Sequence, residues 1–359
     1  MHQIAPDDIV RTFDEAARNE RDPLLVTEPL EAFLDERGLG EGPVQAEPVG
    51  EGHSNVTFII RRGEWEAVIR RPPRGPLPPS AHDVLREARV IAAVGGTARV
   101  PAILAVGRDE AIIGAPFFVM EKVDGHVVTS EIPAELDSVE DRRRMGAELV
   151  DALVEIHAVD WQAAGLEGFG KPTGYLERQL RRFGGLWEHN KTRDIDAVER
   201  VGGWLRDNLP ASPTATVVHG DFRLGNVMMA PSSPARVCAV FDWEMATIGD
   251  PLADLGYLCT LWTDRDDPDL GMFELSGVTR QEGFPLRSEL IARYEERSGR
   301  SMTDIRWYQT LALWKSIVFM EGNYKRAVSG ATDDPFLKTF GDGVVELAGR
   351  AEELAFASS

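Results

Sequence analysis

Residues 217–229, VVHGDFRLGNVMM, set two short apolar runs on either side of a polar turn. Runs of this length, punctuated this way, read as strand, loop and strand. A further strand-like run, RVCAVFDWE, follows and ends on acidic residues. What makes this island of strand constraining is its setting, because from residue 136 onward the chain is otherwise helical in pattern. DRRRMGAELVDALVEIHAVD places Met145, Leu149, Leu153 and Ile156 on one helical face. LIARYEERSG and RWYQTLALWKSIVFMEGNYKRA are helical again. The fold must therefore hold a strand-bound loop, residues 216 to 243, inside a helical body.

The earlier part of the chain has the opposite character. VTFIIRR, EAVIRRP, PAILAVG and PFFVMEKV read as strands. SAHDVLREARVIAAVGG (80–96) reads as a helix with a glycine stop, and EPLEAFLDERGLG (28–40) as a helix ended by Gly38 and Gly40. Residues 1–27 are polar, with Ile9, Val10, Phe13 and Ala17 at the spacing of a short peripheral helix. RRPPRGPLPPS (70–80) is a Pro-rich loop. The expected class is α+β: an N-terminal extension (1–27), a small β-rich lobe (28–125) and a larger, mainly helical lobe (126–359). A chain of 359 residues is long enough for both.

Charge narrows the partners. A formal net charge of −20 argues against nucleic acid, which needs a basic field. Cys238 and Cys259 lie in apolar stretches and are expected to be buried free thiols of a reducing compartment. The first residues lack the basic start and apolar core of a signal peptide, and no apolar run approaches the roughly 20 residues needed to cross a bilayer. The expectation is a cytoplasmic protein with no membrane partner.

Two apparent motifs fail on inspection. GLEGFGKPT (165–173) has the glycine and lysine spacing of a phosphate-binding P-loop, but Pro172 stands where a hydroxyl should bind magnesium, and a helix precedes it. GHSNV (52–56) resembles a nucleophile elbow, but Val56 replaces its final glycine. The same stretch read as GEGHSNV, with Gly50, Gly52, Ser54 and Asn55 between two strand-like runs, is a hairpin whose amides can approach phosphates. Arg70 closes the next strand, where a cation meets nucleotide phosphates in kinase-like folds, and Glu87 on the following helix can pair with it. FFVMEKVDG (117–125) suits a hinge between the halves. In the opening segment Asp221 and Asn226 have the D-x-x-x-x-N spacing of a kinase catalytic loop. There the Asp accepts the proton of an attacking hydroxyl, and the Asn amide oxygen is a hard ligand for Mg²⁺. Asp242 follows at the end of a second strand, where a carboxylate bridges a metal to phosphates.

With these elements in order, the chain resembles the aminoglycoside phosphotransferase-like kinases, and within them the kinase-like domains fused to acyl-CoA dehydrogenases. HGDFRLGN, AVFDWEMATIGDPLADLGYL, GEGHSNVTF, VIRRPP and ERQLRR carry the resemblance, which covers about residues 28 to 350. It implies a two-lobed protein-kinase-like fold, ATP and Mg²⁺ as cofactors, and a small-molecule hydroxyl as acceptor. Asp221 would be the catalytic base, and Asn226 and Asp242 the metal ligands. Gly50, Gly52, Ser54, Asn55, Arg70 and Glu87 would serve the nucleotide, with Glu121 and Val123 beside it at the hinge. Asp250 and Asp254 match an element expected to support the loop. Arg70 stands where kinases in general carry Lys, which keeps the charge and changes the geometry. His157 reads as a bracing histidine, and His219 as orienting the loop through hydrogen bonds.

For the acceptor, YLERQLRRFGGLW (175–187) places Leu176, Leu180, Phe183 and Trp187 on a buried stripe, with Tyr175, Arg178, Gln179 and Arg182 on an adjacent cationic face. Arg178 and Arg182 favour an acceptor bearing a carboxylate, phosphate or CoA moiety. Two other readings stand beside this one. An aminoglycoside-modifying kinase would use acidic groups such as those of TDRDDPD (263–269). A catalytically silent nucleotide-binding protein of the same fold is opposed by intact Asp221, Asn226 and Asp242.

Overall fold

In the computed structural model, residues 5–49, 55–75, 82–268, 277–332 and 334–357 are described. The chain divides into two units, one taking the described residues up to Gly96 with Val100–Asp124, the other Thr97–Arg99 with the chain from Gly125 on.

The first unit opens with β1 (Ile9–Val10), a single-turn helix α1 (Phe13–Ala16) and β2 (Leu25–Val26), followed by α2 (Thr27–Asp35). Ile9 and Val10 pair in parallel with Leu25 and Val26, so the helix expected there begins later than its spacing suggests. Thr12 sets that start, its hydroxyl accepting from the Glu15 N–H at 3.2 Å. A β-branched pair with a partner strand in reach gains more as strand than as helix end.

A five-stranded antiparallel sheet follows: β3 (Gln45–Val49), β4 (Val56–Arg62), β5 (Trp65–Arg71), β6 (Ile103–Gly107) and β7 (Phe117–Glu121), in the order β3-β4-β5-β7-β6. Alternation in β4 and β5 sends Phe58, Ile60, Ala67 and Ile69 to one buried face. That face meets Leu30, Phe33 and Leu34 of α2, with the Phe33 ring edge-on to Phe117 at 5.1 Å. Burying each such Leu or Phe side chain contributes about 1.5–3 kcal/mol. Helix α3 (Val84–Val94), capped by Asp83, lies between β5 and β6 in sequence and packs on β6 and β7.

The second unit is mainly helical. Arg99 ties its parts together, pairing with Glu148 and, at 2.7 Å, with Glu155 of α4 (Val139–His157). The Arg99 carbonyl also accepts from the Val240 N–H at 2.8 Å. Helices α5 (Tyr175–Asn190) and α6 (Asp196–Asp207) follow. Four short strands then form two antiparallel ribbons: β8 (Thr216–Val218), β9 (Val227–Met229), β10 (Val237–Val240) and β11 (Thr247–Gly249), pairing β8 with β11 and β9 with β10. Helices α7 (Leu252–Leu261), α8 (Arg287–Ser298), α9 (Ile305–Val328), α10 (Pro335–Lys338) and α11 (Phe340–Phe356) complete it. Helix α9 packs against α5, α6, α7 and α11, which accounts for apolar residues on nearly every side of it.

Cys259 is buried as expected, whereas Cys238 is only partly so; both are free. On α5, Leu176, Leu180 and Trp187 are buried and Phe183 is partly exposed. Tyr175, assigned to the polar face by spacing, is buried against Gly249. Among the described residues no helix is long and apolar enough to cross a membrane.

Candidate active site

The loop between β8 and β9 is held from below by one carboxylate. Asp254, in the first turn of α7, accepts from the main-chain N–H groups of His219 (2.6 Å) and Gly220 (2.8 Å). Its Oδ2 also lies 3.2 Å from His157 Nε2, and His157 Nδ1 meets the Tyr294 hydroxyl at 2.6 Å. Burial holds His157 below the ordinary histidine range despite the neighbouring carboxylate. Burial also opposes charge on Asp254, but the hydrogen bonds from His157 and the loop keep its carboxyl below the usual range. The pair is thus a neutral imidazole donating from Nε2 to a carboxylate. Asp250, which accepts from the Tyr308 hydroxyl (2.8 Å) and the Leu252 N–H (3.0 Å), is pushed up by burial. Gly220 turns the chain at φ +89, and a Cβ there would lie 2.8 Å from the Met245 carbonyl oxygen.

Asp221 caps this arrangement with its carboxylate a quarter exposed. Asn226 Nδ2 donates to both the carbonyl oxygen and Oδ2 of Asp221, each at 2.8 Å. Burial, with the charge of Asp221, pushes up the phenol of Tyr257 one turn beyond Asp254 on α7, and Arg223 Nε lies 3.7 Å from Asp221 Oδ1. His219 Nδ1 accepts from the Asp221 N–H at 3.2 Å, so Nε2 carries the proton and donates to the Phe241 carbonyl at 2.9 Å. The buried imidazole packs 4.7 Å from the Trp243 ring. Phe241 N–H in turn donates to the Asn226 carbonyl at 2.9 Å. These bonds set Asp242 next to the loop, and Asp242 has φ +65, left-handed backbone that costs a non-glycine residue about 1–3 kcal/mol.

This donor set suits a hard cation. With Nδ2 spent on Asp221, Asn226 presents Oδ1, and Asp242 adds a carboxylate. Mg²⁺ is commonly held by one or two such oxygens with phosphates and water completing the shell. Among the described residues no group of three or more His, Cys, Asp or Glu stands together as a metal cage.

In the first unit, Arg70 Nε donates to Glu87 Oε2 at 3.0 Å and Asn55 Nδ2 reaches the same oxygen at 3.2 Å. Glu87 is buried, and among the described residues Asn55 Oδ1 is buried without a hydrogen-bond partner. Gly50, Gly52 and Ser54 lie outside the described residues. Glu121 is exposed at the end of β7, its N–H donating to the Ala102 carbonyl, and Val123 is partly buried beyond it. Glu87→Gln is expected to weaken ATP binding about ten- to a hundredfold by calorimetric titration, the scale of a lost charge-assisted hydrogen bond. Unchanged affinity would remove the pair from the nucleotide site.

Of the two candidate arginines on α5, Arg178 and Arg182, the first is committed locally. Its guanidinium donates to the carbonyls of Thr173 and, at 2.5 Å, Lys171, bracing the loop ahead of the helix. Arg182 is exposed, near the Phe183 ring. Two side chains around the loop escaped the sequence reading, Tyr257 and Lys315. The visible signal for Lys315 is a lone charge in the run TLALWKSIVFM. In the failed P-loop, a Cβ on Gly170 would lie 2.5 Å from the Ile248 nitrogen, so that segment packs against β11.

A sequence model of the phosphotransferase enzyme family matches residues 45–288. The crystal structure of a provisionally named aminoglycoside phosphotransferase from Ralstonia eutropha is 31% identical with a TM-score of 0.80, covering 91% of this chain and 97% of that one. Acyl-CoA dehydrogenase family member 10 of Mus musculus is 34% identical over 332 residues, which are 89% of this chain and 30% of the mouse protein. The chain thus spans less than a third of that relative. A thermostable aminoglycoside phosphotransferase in ternary complex with AMP-PNP and hygromycin B is 17% identical with a TM-score of 0.56, covering 92% of this chain and 100% of that one, a likeness of fold alone. The chain belongs to the phosphotransferase enzyme family and has its protein-kinase-like fold.

Proposed function

We propose that the protein transfers the γ-phosphoryl group of ATP, with Mg²⁺, to a hydroxyl of a small anionic molecule. The observation that carries this reading is Asp221, a partly exposed carboxylate fixed by Asn226 and tied through His219 to the turn bearing Asp242. Asp221 takes the proton of the acceptor hydroxyl as its oxygen bonds to the γ-phosphorus, and the bond to the bridging oxygen of ADP breaks. Arg70, steadied by Glu87, offers positive charge to the phosphates. Asn226 and Asp242 would hold Mg²⁺, which supplies neutralisation of phosphate charge. Support for an adenine nucleotide comes from the related fold that binds AMP-PNP.

The charge around the loop favours an anionic acceptor over a polycationic drug. Of the acidic groups in the loop an aminoglycoside would use, Asp264 and Asp267 are engaged by Arg287, and Asp267 by Arg350 at 3.3 Å as well, while Asp266 is exposed. Screening hydroxylated carboxylates, hydroxyacyl-CoA esters and aminoglycosides for ATP consumption tests the assignment. It fails if an aminoglycoside is the efficient substrate while the anions leave ATP untouched.

Asp242→Ala is expected to abolish the Mg²⁺-dependent rise in melting temperature that ATP produces. A shift equal to the wild type's would remove Asp242 from the metal site.

A further inference from the structure

Strand β5 ends on two arginines that serve opposite faces of the sheet. Arg70 turns toward Glu87 of α3, while Arg71 shares the buried face of Ala67 and Ile69. Arg71 is only 4% exposed. Its Nε donates to the Pro72 carbonyl at 2.9 Å, and its Nη1 to those of Leu24 at 2.6 Å, Ile113 at 3.3 Å and Pro23 at 3.5 Å. Every one of these acceptors is neutral. Among the described residues no carboxylate forms an ion pair with the guanidinium, and Nη2 has no hydrogen-bond partner. A buried cation held only by carbonyl dipoles lacks its counter-charge, which is costly. Burial and the neighbouring Arg74 push Arg71 down to about 10, against the pull of Asp22, so it stays charged at neutral pH.

Arg71 lines a cavity of about 920 Å³ that lies within the first unit. Its volume is that of a small-molecule site. Besides the end of β5, its walls are α1 with the turn before β2, the start of α3, and the turn between β6 and β7. Much of the lining is apolar, from Phe13, Ala16, Pro23, Pro72, Ile113 and Pro116. Phe13 keeps 42% of its surface exposed there. At the start of α3, His82 holds φ +58, backbone that a non-glycine residue seldom adopts. Among the described residues its Nδ1 is buried without a hydrogen-bond partner. The acidic groups of the lining, Asp22, Asp83 and Glu110, are all exposed, where water and salt screen them. Arg74 is already paired with Asp8. The buried charge left unanswered on these walls is that of Arg71.

We propose that this cavity binds a carboxylate carried on an apolar body, with the carboxylate at Arg71 Nη2 and the body along Phe13, Ala16 and Ile113. A guanidinium with one nitrogen open suits a single carboxylate oxygen. The acidic rim selects for low charge. A monoanion meets less repulsion from Asp22, Asp83 and Glu110 than a phosphate monoester, which carries about −1.5 to −2 at neutral pH. The unpaired Nδ1 of His82 offers a further polar contact. Because Arg70 and Arg71 point to opposite faces of the sheet, this site is separate from the one that Arg70 and Glu87 form. Ligand and nucleotide can therefore be bound together, and the cavity keeps its chemistry whether or not Arg70 meets phosphates.

Calorimetric titration and thermal unfolding of the full chain in carboxylate-free buffer test this, with octanoate as the probe. Octanoate should bind at one site per chain, and near saturation it should raise the melting temperature by a few degrees. Octanamide keeps the body and loses the charge, and acetate keeps the charge and loses the body. Each should bind at least about tenfold more weakly. Arg71→Met should remove the octanoate shift. Arg71 also ties main-chain carbonyls together, so that variant can fail to fold for another reason. Ala16→Trp fills the cavity from α1, leaves those carbonyls alone, and should abolish octanoate binding as well. Excess Mg-ATP should change octanoate affinity by less than about threefold. No binding of octanoate, equal binding of octanamide, or full binding by Ala16→Trp overturns the proposal. Displacement of octanoate by Mg-ATP would put the carboxylate at Arg70 and overturn it too.

Discussion

Asp221→Asn should turn over about 10²–10⁴-fold more slowly than the wild type while still binding Mg-ATP. The substitution keeps the shape and removes only the proton acceptor. Asn226 and the His219 ring would both still find oxygen or nitrogen partners at the loop, so its backbone has no reason to move. The predicted loss is roughly 3–5 kcal/mol of barrier, confined to the chemical step. Single-turnover measurement with an identified acceptor, alongside nucleotide titration, separates the two effects. A loss below threefold would mean the base lies elsewhere.

Asp254→Ala should act on the fold before it acts on the reaction. The carboxylate is buried and receives two main-chain amides and an imidazole. Removing one member of a buried, hydrogen-bonded pair costs about 3–5 kcal/mol, and for a unit of this size that lowers the melting temperature by on the order of 10 °C. The same cluster sets a pH dependence. Because burial keeps His157 neutral, the unfolded chain binds a proton that the folded one refuses as pH falls below the ordinary histidine range. Stability then declines with falling pH, and it declines again in the carboxylate range as Asp254, held low in the fold, is protonated. Denaturant unfolding across that range should show both losses in the wild type, and Asp254→Ala should keep the loss in the histidine range and lack the one in the carboxylate range. A melting temperature unchanged by the mutation would show that the amides find other acceptors.

What could be read from the sequence follows from how strongly each element depends on its own pattern. Strands β4 and β5 alternate cleanly because one face is buried and the other is not, and both were legible. Strand β3 was not, since it is a mostly exposed edge strand containing Pro48 and shows no alternation. Strand β11 is three residues long and exists only as a partner for β8. The Arg70–Glu87 pair was legible as an order of residues along a strand and a helix, and the structure supplies its 3.0 Å contact. Arg178 shows the limit of face-by-face reading, because spacing gives the side of a helix and says nothing of which carbonyls occupy the guanidinium. Tyr257 and Lys315 were missed for a related reason. Their meaning comes from α7 and α9 meeting beside the loop, an encounter that no local pattern encodes.

The left-handed backbone at Asp242 carries a last consequence. Glycine would occupy that conformation without strain, so the fold by itself would be better served by a residue with no side chain. Stability and chemistry pull in opposite directions at this one position. A version of the chain optimised only to resist heat would drift to glycine at 242, grow more robust, and discard its acidic group in doing so.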